Sequence, residues 1–179
     1  MTDAHRRVLN LKVDNFDAMP RRCKELLFDI MFSTDDVQIL KKGIVEDIFG
    51  LYFFDFSSCD NDCEKIFNFA YDIVWSNFRK KLGTFMLEYH PVIDIDNKKI
   101  FFNFMFKPTE DNKKTLLIDC NGYDYFKSKG KKPDAKQDDK IRKAGYEIIH
   151  FSESEIYNNP ILCVVSTVDT YCKINGEDD

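Results

Sequence analysis

The sequence predicts an α/β (α+β) protein in which an N-terminal helical extension precedes a domain with a mixed central sheet. Apolar residues recur at helical spacing through much of the first sixty residues. From about residue 62 the order of the predicted elements is α-β-β-β-α-β-α. After the first helix of this order, the pattern changes to short apolar runs bounded by turns, which are typical of strands. We therefore divide the chain into a helical region, 1–61, and an α/β domain, 62–179.

The composition indicates a globular protein. The chain has 179 residues, of which 44% are hydrophobic and 15% are aromatic, and this excludes a disordered or low-complexity class. No apolar run is long enough to span a bilayer, and the first ten residues lack the apolar segment of a secretory signal. We therefore expect a cytoplasmic protein with no membrane partner.

The N-terminal region predicts two helices, the first over 20–32 and the second over 35–54. Apolar residues recur at helical spacing in both, although Gly43 and Gly50 weaken or divide the second. The polar stretch 57–62 that follows is typical of a loop that caps the next helix.

The middle of the chain predicts one helix and three strands. Residues 63–81 carry an apolar helical face. A tight turn at Asp96 and Asn97 predicts a hairpin. A third apolar run ends at Asp119 and Cys120. The predicted strands are 85–95, 99–107 and 115–120.

The last third predicts a charged helix, a buried strand and a closing helix. The charged helix covers 134–144, with Gly145 at the position of a left-handed C-cap, and the strand covers 146–151. Ser152 and Glu155 have the spacing of a capping box, and Pro160 opens the last helix. The predicted apolar stripe of that helix is Ile161, Val164, Val165, Val168 and Cys172.

Charge is distributed unevenly along the chain. The formal net charge is −5, yet 127–143 contains eight basic and three acidic residues and therefore carries +5. Such a segment is either a solvated loop and helix face or a surface that contacts nucleic-acid phosphates. The candidate phosphate-binding residues are Lys127, Lys129, Lys131, Lys132, Lys136, Lys140, Arg142 and Lys143.

The six cysteines follow no zinc-binding pattern. Cys59 and Cys63 are separated by three residues, with no second pair at a matching spacing. Cys120, Cys163 and Cys172 lie on apolar faces and are predicted to be small buried hydrophobic residues. In a reducing compartment we expect all six to be free thiols.

Polar residues interrupt two otherwise apolar strands. Asn103 lies within the second and Asp119 near the end of the third, with Asn121 two residues further on. Because strand side chains alternate between faces, Asp119 and Asn121 share one face, and a neighbouring strand can bring Asn103 to it. Oxygen ligands grouped in this way could hold a divalent cation.

The order of elements and several short strings resemble the PD-(D/E)xK nuclease superfamily, and within it the branch similar to very-short-patch-repair endonucleases. Residues 62–174 carry the resemblance, and the downstream strings are the more specific. Glu64 stands where the family often has an acid on its first helix. The matching strings are IFFNFMF at 100–106, LIDCNG at 117–122, AGYEIIHF at 144–151, SESEI at 152–156 and NP at 159–160.

This resemblance implies a restriction-endonuclease-like fold and a magnesium site, but the residues depart from the catalytic pattern. The family's Asp corresponds to Asn103, its Glu to the shorter Asp119, and its second acidic or lysine position to Asn121. The degenerate catalytic set would therefore be Asp119, Asn103, Asn121 and Glu64, with Asp119 as the metal ligand. Exchanging a carboxylate for an amide removes a negative charge from a cation site, so the departures argue against ordinary catalysis. Asp119 with Asp124 or Glu64 could still form an irregular magnesium site.

Each of these residues also has a structural interpretation. Asn103 could be a buried amide bonded to the backbone at a strand end, and Asp119 a turn or capping carboxylate. Glu64 could cap its own helix. His90 and His150 lie in apolar strands, where a satisfied structural histidine is the more common role.

The sequence leaves four functional hypotheses. The first is a nuclease-fold protein with a degraded metal site, which binds nucleic acid, DNA rather than RNA, or a protein partner without efficient cleavage. The second is an active magnesium-dependent endonuclease that uses Asp119. The third is an RNA-binding module similar to the RAP domain, suggested by Asn121 and Gly122 together with Tyr125 and Phe126. The fourth is a dimerising interaction factor of phage or mobile-element origin, in which the N-terminal helices form a homodimer or partner surface.

Overall fold

The computed structural model describes residues 19–32, 56–78, 85–120 and 135–176. Several predictions lie outside these residues. They are the helix over 35–54, the loop that carries Asn121, Gly122, Asp124 and the first four lysines of the basic segment, and most of the N-terminal surface proposed for dimerisation.

The described residues form a mixed α/β structure with five helices and six strands. The helices are α1 (Arg21–Phe32), α2 (Asp62–Phe78), α3 (Ala135–Lys143), α4 (Glu153–Asn158) and α5 (Pro160–Asn175). The strands are β1 (Phe85–Tyr89), β2 (Val92–Ile95), β3 (Lys98–Phe101), β4 (Phe104–Pro108), β5 (Thr115–Asp119) and β6 (Tyr146–His150). No helix in this part of the chain is long and apolar enough to cross a membrane.

Four strands form a mixed sheet in the order β1-β4-β5-β6, and β2 and β3 form a separate two-stranded sheet. β1 pairs with β4, and β4 with β5, in antiparallel fashion, whereas β5 and β6 are parallel and are joined through α3. β5 lies inside the sheet, and its three central residues, Leu116, Leu117 and Ile118, are fully buried. Burial on both faces explains why this strand is a continuous apolar run.

The sheet is covered on both faces. On one face, Phe104, Phe106 and Ile118 pack with residues of α2 and α5, including Phe67 and Tyr171, in the larger core cluster. The opposite face packs against α3 and the β2–β3 hairpin in a smaller cluster of Ile93, Phe102, Met105, Leu117, Ile141 and Ile148. Burying apolar side chains in both layers is the main stabilising contribution to the fold.

The predicted strand 85–95 is wrong as one strand, because it is divided between β1 and β2. His90 has a left-handed backbone conformation with φ of 49°, and Pro91 has no N–H group to continue a ladder. The partner strand predicted over 99–107 is interrupted at the same level, by Phe102 and Asn103. Hydrogen bonds from His90 N to Asn103 O (3.0 Å) and from Phe102 N to Pro91 O (3.1 Å) join the two breaks.

The interruption changes which side chains share a face. Strict alternation from Phe102 to Phe106 predicts one common face for Phe102, Phe104 and Phe106. Phe102 instead packs with Met105 in the smaller cluster, while Phe104 and Phe106 belong to the larger one. The irregular residue Asn103 shifts the alternation, as a β-bulge does. The turn at Asp96 and Asn97 is confirmed, with φ of 53° and 59°.

The stripe predicted for the last helix is only partly right. The buried residues of α5 in the structure are Pro160, Cys163, Val164, Thr167 and Tyr171. Of the predicted stripe, Val164 is buried and Val165 is exposed, so the buried face is rotated from the predicted one. The Thr167 hydroxyl donates to Cys163 O at 2.8 Å, which allows a polar residue to occupy this core face.

The predicted capping box at the start of α4 is confirmed. Ser152 Oγ accepts from Glu155 N at 3.1 Å, and Glu155 Oε2 accepts from Ser152 N at 2.8 Å. The Ser152 hydroxyl also donates to Glu155 Oε2 at 2.7 Å, and the bonds that the Ser152 N–H and hydroxyl donate to this carboxylate hold the pKa of Glu155 below its ordinary value.

Replacing Ser152 with alanine should lower the free energy of unfolding by about 1 kcal/mol, because one helical N–H group loses its acceptor. Urea denaturation measures this difference. Ser58→Ala is the control, since it removes an exposed hydroxyl from a turn that does not contact the cap of α4. Equal losses in the two variants would contradict a specific role for the box.

Candidate functional site

Two polar clusters lie near the carboxyl ends of β5 and β6. The Glu64 cluster consists of Asp60, Asn61, Glu64, His90 and Asn103. The His150 cluster consists of Asp119, Asp138 and His150. The two clusters meet at the end of β5. Asp119 belongs to the His150 cluster, and the next residue, Cys120, donates its N–H to Asn103 Oδ1 of the Glu64 cluster at 2.7 Å.

Glu64 is a buried carboxylate at the centre of the first cluster, with 2% of its surface exposed. Its Oε1 accepts from Asn103 Nδ2 at 2.7 Å and from Asn61 Nδ2 at 3.0 Å. Its Oε2 accepts from Asp60 N at 2.7 Å and lies 3.0 Å from His90 Nε2. An unpaired buried carboxylate would be very unfavourable, and these contacts supply partners to both oxygens.

Asn61 connects this cluster to the start of α2. Its Oδ1 accepts from Glu64 N at 2.9 Å, so it caps the helix, as predicted for the loop 57–62. Its Nδ2 simultaneously fixes the Glu64 carboxylate. The structural interpretation of Glu64 as a helix-end acid therefore agrees with its position, three residues after the cap.

Asn103 uses both ends of its amide. Nδ2 donates to Glu64 Oε1, and Oδ1 accepts from Cys120 N. The Asn103 N–H also donates to Ile118 O at 3.2 Å, which fixes the residue against β5. An ionised aspartate in this position could accept from Cys120 but could not donate to Glu64. The amide is thus chemically suited to this position.

The second cluster links β5, β6 and α3. His150 Nδ1 lies 3.0 Å from Asp119 Oδ2, and His150 Nε2 lies 3.1 Å from Asp138 Oδ2. The exposed side-chain fractions of His150, Asp119 and Asp138 are 22%, 22% and 15%. Because both ring nitrogens face carboxylates, an imidazolium that donates through both fits this arrangement.

Electrostatics favour the charged form of His150. Burial by itself lowers the pKa of this residue, but the hydrogen bond with Asp119 and the negative charges of Asp138 and Asp119 outweigh it and raise the pKa above its ordinary value of 6.5. His150 is therefore the satisfied histidine that its apolar strand suggested. The sequence did not identify Asp138 as its partner, although Asp138 lies three residues before the buried Ile141 and so on the inner face of α3.

The predicted site residues are divided between the clusters. The structure brings Glu64 and Asn103 together, whereas the Asp119 carboxylate contacts His150. Asn121 lies outside the described residues. Within the part of the chain that the structure describes, three potential metal-ligating side chains come together at Asp60, Glu64 and His90, and Asp119 is not among them. Asp60 and His90 were not among the predicted site residues, because their meeting depends on the bend at His90.

Half of the predicted phosphate-binding residues lie on α3, and all four of these are exposed: Lys136, Lys140, Arg142 and Lys143. Lys140 Nζ is 2.6 Å from Asp96 Oδ2, and Arg142 Nε is 2.9 Å from Glu147 Oε1. Exposed ion pairs of this kind contribute little to stability, so a phosphate could replace either carboxylate at small cost.

Comparison of the chain with protein-family models, with curated proteins and with solved structures finds no match.

Proposed function

We propose that the α/β domain is a restriction-endonuclease-like module that binds nucleic acid without efficient cleavage. Three features support the fold assignment. The strands of the main sheet follow the predicted element order, the first three are antiparallel neighbours, and β5 and β6 are parallel across the helical connection. The resemblance implies a mixed central sheet, and the mixed sheet of this domain supports the proposed fold.

The main support for a lack of efficient cleavage is the amide of Asn103, which bridges Glu64 and the backbone of Cys120. At the positions where the resemblance places magnesium ligands, Asn103 holds Glu64 and the β5 backbone, and Asp119 binds His150. Magnesium requires several oxygen ligands directed at one point. The described residues at these positions bind one another instead and do not suit that ion, so we derive no step through it.

Nucleic acid is the proposed partner because of the outer face of α3. Asp138 points inward to His150, so its charge opposes the exposed basic residues less than the sequence suggests. Lys140, Arg142 and Lys143 occupy the last turn, where the helix dipole also favours cations. Duplex DNA is the expected ligand, with its phosphates contacted without regard to sequence.

The double variant Lys136→Ala/Lys143→Ala should weaken binding to a fluorescein-labelled DNA duplex and lower the salt dependence of binding. Each lost phosphate contact reduces the slope of log affinity against log salt by about one. Fluorescence anisotropy over a range of salt concentrations measures both quantities. Lys107→Ala/Lys173→Ala, which removes two exposed lysines from β4 and α5, is the matched control and should bind as the wild type does.

Three outcomes would contradict the proposal. Equal effects in the test and control variants would remove α3 as the binding face. Tighter binding to single-stranded RNA than to duplex DNA would favour the RNA-binding alternative. Magnesium-dependent cleavage that Asp119→Ala abolishes while the fold is retained would show an active nuclease.

A further inference from the structure

The two oxygens of the Glu64 carboxylate have different surroundings. Oε1 is held by the amides of Asn61 and Asn103, which fix the plane of the group. Oε2 takes one hydrogen bond from Asp60 N and otherwise faces the His90 ring, which in turn lies near the Asp60 carboxylate. Metal-ligating carboxylates are commonly held in this way, with one set of donors orienting the group and the other oxygen turned to the ion.

The separations of the three side chains suit a common ion. His90 Nε2 lies 3.0 Å from Glu64 Oε2 and 3.6 Å from Asp60 Oδ2. All three potential ligand atoms lie within 4.8 Å of one another. Ligands at about 2.0 to 2.2 Å from a tetrahedral zinc ion are roughly 3.4 Å apart, so small side-chain adjustments would complete the geometry.

We propose that Asp60, Glu64 and His90 form a binding site for a divalent transition-metal ion, with zinc preferred. Imidazole nitrogen with two carboxylates selects zinc over magnesium and calcium, which favour all-oxygen sites. Three protein ligands leave a fourth position open to water or to another ligand. The Asp60 side chain is 82% exposed and that of His90 is 38% exposed, so an ion can reach the site from solvent.

The charges of the cluster favour a cation. Asp60 and Glu64 carry two negative charges, and Asp62 follows in the first turn of α2. The partial positive charge of about half a unit at the helix N-terminus opposes the ion, but it is smaller than the charge of the two ligands.

This site shares Glu64 with the cation position that the resemblance implies, but its other ligands are Asp60 and His90, and it leaves out Asp119 and Asn121. It is also independent of the proposed nucleic-acid binding, which depends on α3. A result that rejects the zinc site therefore leaves the proposed nucleic-acid binding untouched, and a result that rejects nucleic-acid binding leaves the zinc site untouched.

Titration calorimetry with zinc tests the proposal on the full chain. The wild type should bind one ion, His90→Ala should abolish binding, and Asp60→Asn should weaken it by about tenfold or more. Asp60 is exposed and its N–H remains in the variant, so Asp60→Asn should stay folded, as circular dichroism would verify. Asp94→Asn, another exposed aspartate, is the matched control and should bind zinc normally.

Cobalt(II) identifies the ligands, because a cobalt–thiolate bond adds a near-ultraviolet charge-transfer band that nitrogen and oxygen ligands do not give. We expect visible d–d bands without this feature, and their loss in His90→Ala. A thiolate band would place the metal on cysteines such as Cys59 and Cys63 and overturn the proposal. Three other results would also overturn the proposal: unchanged zinc affinity in both ligand variants, no zinc binding by the wild type, or tighter binding of magnesium than of zinc.

Discussion

Asn103→Asp should destabilise the protein by about 3 to 5 kcal/mol at neutral pH, although it restores the acid that the nuclease resemblance implies at this position. The substitution replaces the donor 2.7 Å from Glu64 Oε1 with an oxygen, so two carboxylates would face each other beside a buried strand end. An uncompensated buried charge has a cost of this size. Urea denaturation at neutral and mildly acidic pH measures the change.

Acid should partly rescue Asn103→Asp, because one proton shared between the two carboxyl groups restores a donor. The repulsion raises the carboxyl pKa in the folded state, so the stability of this variant should rise as the pH falls. Asn103→Ala is the control. It also loses the bonds to Glu64 and Cys120 but adds no charge, and it should lose about 2 kcal/mol without acid rescue. A fully stable Asn103→Asp that cleaves DNA with magnesium would instead show that position 103 is a cation site.

Local signals in the sequence predicted most of the elements in the described residues. The capping box at Ser152, the turn at Asp96 and Asn97 and the apolar run of β5 are each determined by neighbouring residues, and each is found. The division of the first two strands was missed. Pro91 signals a break, but the length of the hairpin strands depends on how His90 and Asn103 pair. The periodicity of apolar residues in the sequence gives no information on that pairing.

In the candidate site too, sequence patterns identified some of the residues, whereas others come together only through contacts between distant parts of the chain. Glu64 and Asn103 stood out because each is polar within an apolar pattern, and the structure brings them together. The alternation of side chains along the strands predicted that Asp119 lies with them. Alternation gives only the face of the sheet, and it does not show that His150 of β6 lies opposite Asp119 in the parallel register. Asp60 and His90 are exposed or half-buried polar residues of ordinary appearance, and only the bend at His90 brings them to Glu64.

The pairing of His150 with two carboxylates should make the stability of the protein depend on pH. Its pKa is raised in the folded state, so the protonated ring is favoured there. The resulting stabilisation is fully present below the unfolded value of about 6.5 and is lost as the pH rises through the folded pKa. Thermal denaturation across this range should show the loss.

His150→Ala should lower the free energy of unfolding by about 2 to 4 kcal/mol at a pH below 6.5, because Asp119 and Asp138 then face each other without a counter-ion. The deficit should shrink at higher pH, where the wild type also loses the charge. Asp138→Asn in the same background removes one of the two negative charges and should recover part of the loss. Asp111→Asn, an exposed residue of the β4–β5 turn, should change little. A deficit that is independent of pH would mean that His150 contributes by packing, and that its charge does not hold α3 to the sheet.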